Sequence, residues 1–489
     1  MDTKQNYNQL FVGGDLSGIQ KFLYNISSKK ASVSLKGRSH YIRKYMEDVC
    51  EKIKKTVDAN GAKHTKVIYC SGGKFYLITD NLPQVTQAID ECAKQSIQAL
   101  WNEHMGQLGL SISHVAFREN SDGSVDCQGL TQQKPGMLWK VVNADFARQK
   151  QQKFKEQLIK NYHQFFNPIL VGGKPKVCAV TGVESPDCVK MDDEDYYVLP
   201  VVLQQIRKGE ELRKNEHFKT FEEYADNTYL GILRMDVDGL GKRLVDGFAS
   251  IHDYEAFSGR LVSFFEDGVK KIQQEPEFKE YLNIIYAGGD DLFIIGRWDK
   301  LIDFAERIHH ETALRFSKEG LSISGGIAIV KSKYPIAKAA ELAGLAEDAA
   351  KQFHDGEKNA FHLLGKTISW DKEFDYVKSL KQQFVDLIDN YGISKGLLHK
   401  LMLYSSLAEH NKIRRSEGQD EDFSYVWHIS YYLTRYMNRY KTNKVVCDFC
   451  RSLRDNELDY KKSRNLELIA LAARWAELIE KDNTNNKKQ

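Results

Sequence analysis

The stretch Tyr286-Ala287-Gly288-Gly289-Asp290-Asp291-Leu292-Phe293 sets two glycines and two aspartates between apolar segments of β type. It has the pattern of a hairpin whose turn presents paired carboxylates to a metal-bound phosphate. Glycine tolerates the positive φ of a tight turn and lets a ligand approach the backbone, and adjacent Asp residues supply the hard oxygen donors that Mg²⁺ requires. Gly-rich hairpins are also ordinary loop chemistry, so the reading rests on what surrounds the motif.

The chain contains the unit twice. Laid against itself, it gives three matching blocks in the same order. Asp15-Leu16-Ser17-Gly18-Ile19-Gln20-Lys21 corresponds to Asp236-Val237-Asp238-Gly239-Leu240-Gly241-Lys242, residues 67–78 correspond to 284–295 without a gap, and Gly109-Leu110-Ser111-Ile112-Ser113 recurs as Gly320-Leu321-Ser322-Ile323-Ser324. Helix-patterned segments lie between the blocks, at 39–57 and 83–108 in the first unit and at 253–274 and 299–318 in the second. The order β-α-β-β-α-β predicts an α+β protein with two ferredoxin-like domains, each an antiparallel sheet with both helices on one face. This is the palm of many polymerases and nucleotide cyclases. In that topology the first strand and the central hairpin are neighbours, so Asp236 is expected beside Asp290 and Asp291. Neighbouring carboxylates repel one another and are costly without a cation. The three acids are therefore the candidate catalytic and metal-binding residues, with Gly288, Gly289 and Asp238 as candidates to contact a nucleotide.

The copies differ at the turn. The first keeps Asp15 but has Ser17 for Asp238, Gly73 for Asp290 and Lys74 for Asp291. With one carboxylate and a cation in place of an acid, the first palm should not hold a metal pair, while Ser17, Gly72, Gly73 and Lys74 remain as a nucleotide-binding surface. The expectation is an asymmetric pair, one palm carrying the metals and the other facing it. Downstream, residues 339–351 read as an Ala-rich helix and Gly356-Glu357-Lys358-Asn359 as a turn before a strand at 360–364. Lys351 and Lys358 are then candidates for a triphosphate tail, and solvated helix-end charge is the plain alternative.

At 489 residues, two to four domains are expected. They are read as a first palm at 1–145, a small linker domain at 146–228, a second palm at 229–367 and a helical domain at 368–489. A composition of 42% apolar and 28% charged residues with 8 Pro excludes a disordered or fibrous chain. The net charge of +3 argues against a bulk polyanion coat. No apolar run reaches the roughly 18 residues of a membrane span, and the polar start at 1–9 is no signal peptide, so no membrane partner and a cytoplasmic location are expected. The eight cysteines read as reduced thiols.

Residues 369–481 are helix-patterned, with Leu468, Leu471, Trp475 and Leu478 in one stripe, which predicts a helical bundle. Tyr432, Arg435, Tyr436, Arg439 and Tyr440 form a basic aromatic face that suits RNA, although half core and half solvated charge is the favoured reading. Residues 148–160 carry five basic residues against one acid, as a helix for nucleic acid or a partner subunit, or as an exposed linker. Lys36-Gly37-Arg38 reads as a compact basic turn suited to a phosphate, and 483–489 as a frayed polar tail.

The second unit, with Asp236-Val237-Asp238, the Gly288-Gly289-Asp290-Asp291 hairpin and Lys358-Asn359, resembles nucleotide-cyclase palms of the GGDEF type. It is more similar to the large subunit of type III CRISPR antiviral effector complexes. The opening residues 14–22 with Ser34-Leu35-Lys36-Gly37-Arg38-Ser39 look like the first palm of that subunit in its Csm (type III-A) form. The resemblance implies a nucleotidyltransferase that converts ATP to cyclic oligoadenylate, with the other effector subunits and a guide RNA as partners and target RNA as activator. It also implies two Mg²⁺ or Mn²⁺ ions, held by Asp236, the Val237 carbonyl, Asp290 and Asp291, which activate a ribose 3′-hydroxyl and stabilise the α-phosphate.

Three departures qualify this. The first palm starts close to Met1, and His252-Asp253 and His354-Asp355 lack further ligands, so an HD nuclease domain and its DNA cleavage are not expected. The linker keeps only Cys178 and Cys188 of the usual two Cys-x-x-Cys pairs, which leaves zinc doubtful there. The acceptor could be another molecule, such as S-adenosylmethionine receiving AMP. A non-catalytic scaffold that organises RNA and partner subunits is the competing function. Retention of Asp236, Asp290 and Asp291 argues against it, and the fused, degenerate first palm argues against a free-standing diguanylate-type cyclase.

Overall fold

A computed structural model of the chain describes residues 7–27, 29–104, 106–160, 162, 175–191, 194–226, 229–420, 422–457 and 463–486. The chain divides into two compact units, Met1–Glu347 and Asp348–Gln489.

The first unit builds one sheet design twice. In the first copy, Lys66–Ser71, Lys74–Asp80, Gln9–Ser17 and Gly109–Glu119 lie side by side, with Val125–Cys127 and Leu130–Gln133 added at the edge. In the second, the order is Leu282–Gly288, Asp291–Arg297, Tyr229–Asp238 and Ser322–Lys331. Each of these pairs is antiparallel. The ferredoxin-like order expected from the repeat is the order found, with the opening strand of each copy in the centre.

Central strands are buried on both faces, and their side chains alternate between them. Leu10, Val12 and Leu16 join the core under helices Ala31–Ala59 and Pro83–His104, together with Met46, Ile53 and Ile89. The odd-numbered face, carrying Phe11, Gly13 and Asp15, meets a third helix, Gly136–Gln151, through Trp139, Val142 and Phe146. The second palm repeats this plan. Leu230 and Ile232 share a core with Ala339 and Ala343 of helix Ile336–Lys351. Asp15 and Asp236 thus point to the face that the helix after the fourth long strand covers.

The first long helix departs from its expected bounds by beginning at Ala31, so Lys36-Gly37-Arg38 is helical and not a turn. A tertiary contact decides this. A Cβ on Gly37 would lie 1.8 Å from the Gln205 carbonyl oxygen, and one on Gly209 would lie 1.9 Å from that of Val33. The two glycines let this helix cross helix Pro200–Glu216 backbone to backbone. Arg38 is buried and donates to the carbonyls of Phe22 and Asn25 at 2.6 and 3.0 Å, and Lys36 donates to that of Ile284 at 2.7 Å. Both cations clamp the fold, which corrects their reading as a phosphate-binding turn. In the linker, Cys178 and Cys188 are buried among Val180, Met191 and Val198.

The second unit holds the hairpin Ala360–Leu363 and Lys366–Ser369 and the helices Asp375–Tyr391, Gly396–Ser416, Ser424–Arg439, Lys444–Ser452 and Ser463–Asn486. The stripe Leu468, Leu471, Trp475 and Leu478 is buried, as the bundle requires. Tyr436 is buried and its hydroxyl accepts from the Ser394 amide at 2.9 Å, while Arg435 and Arg439 are exposed, so the aromatic face is half core. The last helix runs to Asn486, further than the frayed tail allows; residues 487–489 lie outside those described. No helix among the described residues is long and apolar enough to cross a membrane.

Candidate functional site

Two-residue turns close both central hairpins, Ser71 pairing with Lys74 and Gly288 with Asp291. Their backbones differ in one respect that governs chemistry. Gly72 and Gly73 both have positive φ, +60° and +79°, whereas in the second turn only Gly289 does, at +70°. A turn with positive φ at the first central residue alone leaves the second central position open to an L side chain. Asp290 occupies it. At the matching Gly73, a side chain would have to adopt the left-handed region.

The turns touch. The Gly289 amide donates to Ser71 Oγ at 3.1 Å, and that hydroxyl donates to Glu266 at 2.6 Å. A Cβ on Gly72 would stand 2.9 Å from the Gly288 carbonyl oxygen. Each turn is also tied to its own first strand by the same bond, Leu16 N–H to Gly73 O at 2.8 Å and Val237 N–H to Asp290 O at 3.2 Å.

Beside the turns lies a cavity of about 550 Å³. The first palm contributes Asp15, Lys21 and Lys74, and the second Asp236, Asp290 and Asp291. Asp236 and Asp291 are direct partners across the strand pair. Their carboxylates and that of Glu347, from helix Ile336–Lys351, lie with ligand atoms within 4.8 Å of one another. Asp290 is on the cavity wall and outside this trio. Arg234 reaches Glu347 at 2.9 Å.

Burial and the charge of Asp291 push the Asp290 carboxyl up to about 6, against the pull of Lys74. Burial also raises Asp291, opposed by Arg234 and Lys74. Desolvated acids that hold protons near neutrality are a mark of functional sites. In the first palm, Asp15 is paired with Lys150 of helix Gly136–Gln151 at 2.5 Å.

Asp238 is buried and accepts from Ser322 and Ser324 at 2.8 and 2.7 Å, which ties the first strand to the fourth. Ser17 donates to the Gly109 carbonyl at 3.0 Å. Val237 is buried. Lys351 and Lys358 belong to the second unit, where Lys351 ends its helix and Lys358 has φ of +61°. In the basic run at 148–160, Lys150 pairs with Asp15 and Lys153 donates to the Gly106 carbonyl at 3.0 Å, while Arg148, Lys155 and Lys160 are exposed. The residues that sequence reasoning missed are Glu347, Arg234 and Lys150. Their signal was weak, an acid inside an Ala-rich helix and cations in a strand and a basic helix.

Comparison with known proteins agrees with this plan. Residues 8–168 match the domain described as Csm1 subunit domain B, and residues 229–362 match the second palm domain of Cas10/Cmr2. Curated relatives named CRISPR system single-strand-specific deoxyribonuclease Cas10/Csm1 (subtype III-A) include that of Enterococcus italicus, 26% identical over 79% of this chain and 58% of its own length. That of Mycobacterium tuberculosis is 23% identical over 82% of this chain and 60% of its own. The chain therefore spans about 60% of the length of these relatives. Among solved structures, an apo Csm1-Csm4 cassette has a TM-score of 0.68 at 19% identity, covering 98% of this chain and 71% of that one. The cassette in complex with one ATP has a TM-score of 0.67 at 18% identity, covering 96% and 70%. These two likenesses establish the fold. With one family's domains on both palms and its III-A members as relatives, the chain belongs to the Cas10/Csm1 family of type III-A CRISPR systems.

Proposed function

We propose that the chain is a nucleotidyltransferase that converts ATP to a cyclic oligoadenylate in a type III-A CRISPR complex, with target RNA as its activator. The observation that carries this reading is the convergence of Asp236, Asp291 and Glu347 at a cleft that both palms line. The donors there are hard carboxylate oxygens, which Asp290 on the cavity wall and the Val237 carbonyl would join, and such a set fits Mg²⁺ or Mn²⁺. Divalent ions supply, when bound, an acidified ribose 3′-hydroxyl and charge stabilisation on the α-phosphate.

The chain's own groups prepare the cleft for that. Lys74 acts on Asp290 and Asp291 from the facing palm, and it would take a phosphate of the acceptor nucleotide. Arg234 balances part of the acid charge from within the sheet. Asp15, closed by Lys150, leaves the first palm as a binding surface only. Solved relatives support the nucleotide class, since Csm1-Csm4 cassettes occur in complex with ATP, with pppApA and with cA4. They also support a Csm4-like subunit as a partner.

Metal-dependent release of pyrophosphate from ATP tests the chemistry. The native chain in its complex should release it, and Asp236→Ala and Asp291→Ala should each reduce the rate about 10²-fold or more. Unchanged release in both variants would refute the assignment.

A further inference from the structure

Away from the acids, the touching turns border a second hollow of about 510 Å³, with Gly72, Gly73 and Gly288 in its wall. Its volume suits a ligand of nucleotide size. Helix Ala31–Ala59 lines one side with Lys36, His40 and Arg43, spaced i, i+4 and i+7 on one face. The second palm lines the other with Glu266, Lys270 and Gln273 at the same spacing. The turn Phe264–Gly268 is widened to π geometry and carries Glu266; such turns recur at functional sites.

The charge balance in this hollow is cationic. Glu216 is taken up by Lys36 at 2.7 Å and Glu266 by Ser71 at 2.6 Å. Arg43, Lys270 and Lys279 are exposed on its walls. At the floor, Asn283 is 3% exposed and its Nδ2 has no hydrogen-bond partner among the described residues. The matching junction on the opposite side of the palm pair is filled, Lys66 bonding Glu255 at 2.6 Å and Tyr254 lying against Trp139 with ring centroids 3.6 Å apart. The two halves of the repeat thus differ here as they do at the acids.

We propose that this hollow is a second binding site, for the phosphate groups of a nucleotide, separate from the acidic cleft and coupled to it through Glu266, Ser71 and Gly289. The coupling is a chain of two hydrogen bonds, Gly289 N–H to Ser71 Oγ and Ser71 O–H to Glu266. A phosphate drawn in by Lys270 and Arg43 lies beside Glu266 and shifts its hold on Ser71. Ser71 in turn anchors the turn that bears Asp290 and Asp291. The inference does not depend on the chemistry proposed for the acids.

The test is calorimetric binding to the full chain without divalent metal, using inorganic tripolyphosphate and, separately, a non-hydrolysable ATP analogue. The background is Asp290→Ala/Asp291→Ala, which disables the acidic cleft, so failure of the nucleotidyltransferase reading leaves this result untouched. Adding Arg43→Ala/Lys270→Ala, two exposed positions, should weaken tripolyphosphate binding roughly tenfold or more. The same loss for the analogue alone would also support the site and add recognition of the nucleoside. Equal affinity with and without the two cations, or no binding of either probe, overturns it. For the coupling, hydrogen exchange in the hairpin at 282–297 should respond to tripolyphosphate in the native chain and not in Ser71→Ala. An identical response in both overturns the coupling.

Discussion

Lys150 Nζ lies 2.5 Å from Asp15 Oδ2, and this ion pair fills in the first palm the place that the acid cluster holds in the second. Asp15 and Asp236 are matching residues of matching central strands, and both face the helix that follows the fourth long strand. That helix delivers a lysine to one and Glu347 to the other. One ancestral geometry has thus become an internally neutralised site and an acid-rich one.

Lys150→Met should therefore cost stability and leave turnover in the folded fraction unchanged. Asp15 is buried and would lose its counter-ion. Lys150 is itself 41% exposed, so the loss should be about 1–2 kcal/mol after screening. Denaturant midpoints measure it.

Glu347→Gln should lower Mn²⁺ affinity about 10–100-fold if Glu347 supports the metal site directly or through its neighbours. Titration of the ion followed by calorimetry reads this, and an unchanged affinity would remove Glu347 from the site.

The acids should make metal binding and stability depend on pH in opposite senses. Protons and metal compete for Asp290, so Mn²⁺ affinity should fall as pH drops through about 6. Without metal, a carboxyl raised above its ordinary 3.8 stabilises the folded chain fully below that value, and the gain is lost as pH rises through about 6. Asp290→Asn should then raise the metal-free stability at pH 7.5 by on the order of 1–3 kcal/mol, read as a higher denaturant midpoint, while abolishing turnover. A midpoint that falls would contradict the assigned cause.

Gly72→Ala should destabilise the protein by about 1–3 kcal/mol and impair turnover. Its φ of +60° is combined with a carbonyl 2.9 Å from the new Cβ. Gly182→Ala is the control, since φ there is +72° with nothing within 4 Å. It should show backbone strain alone, roughly 1 kcal/mol. Equal losses at both positions would mean that contact between the turns carries no energy.

The repeat made the sheets and their acids legible. Side chains alternate along a strand and a two-residue turn fixes register, so matching blocks at 15–21 and 236–242 were enough to set Asp236 beside Asp291. What escaped depends on packing between elements distant in sequence. Glu347 joins the acids only because its helix covers the face that Asp236 points to, and nothing in an Ala-rich segment announces that face. Gly37 looked like a turn because the helix that crosses it, through Gln205, lies far along the chain. Lys36 and Arg38 depart from the expected turn for the same reason, since their carbonyl partners are set by tertiary contact.

Mass spectrometry of the products tests the central claim most directly. The chain, assembled with its complex on guide RNA, is incubated with ATP and Mg²⁺, with and without target RNA, and then with S-adenosylmethionine added. The account predicts cyclic oligoadenylates that need target RNA and vanish in Asp290→Ala/Asp291→Ala. An AMP conjugate with the same dependence would keep the transferase and change its acceptor. ATP left intact under every condition would contradict the account and leave a scaffold.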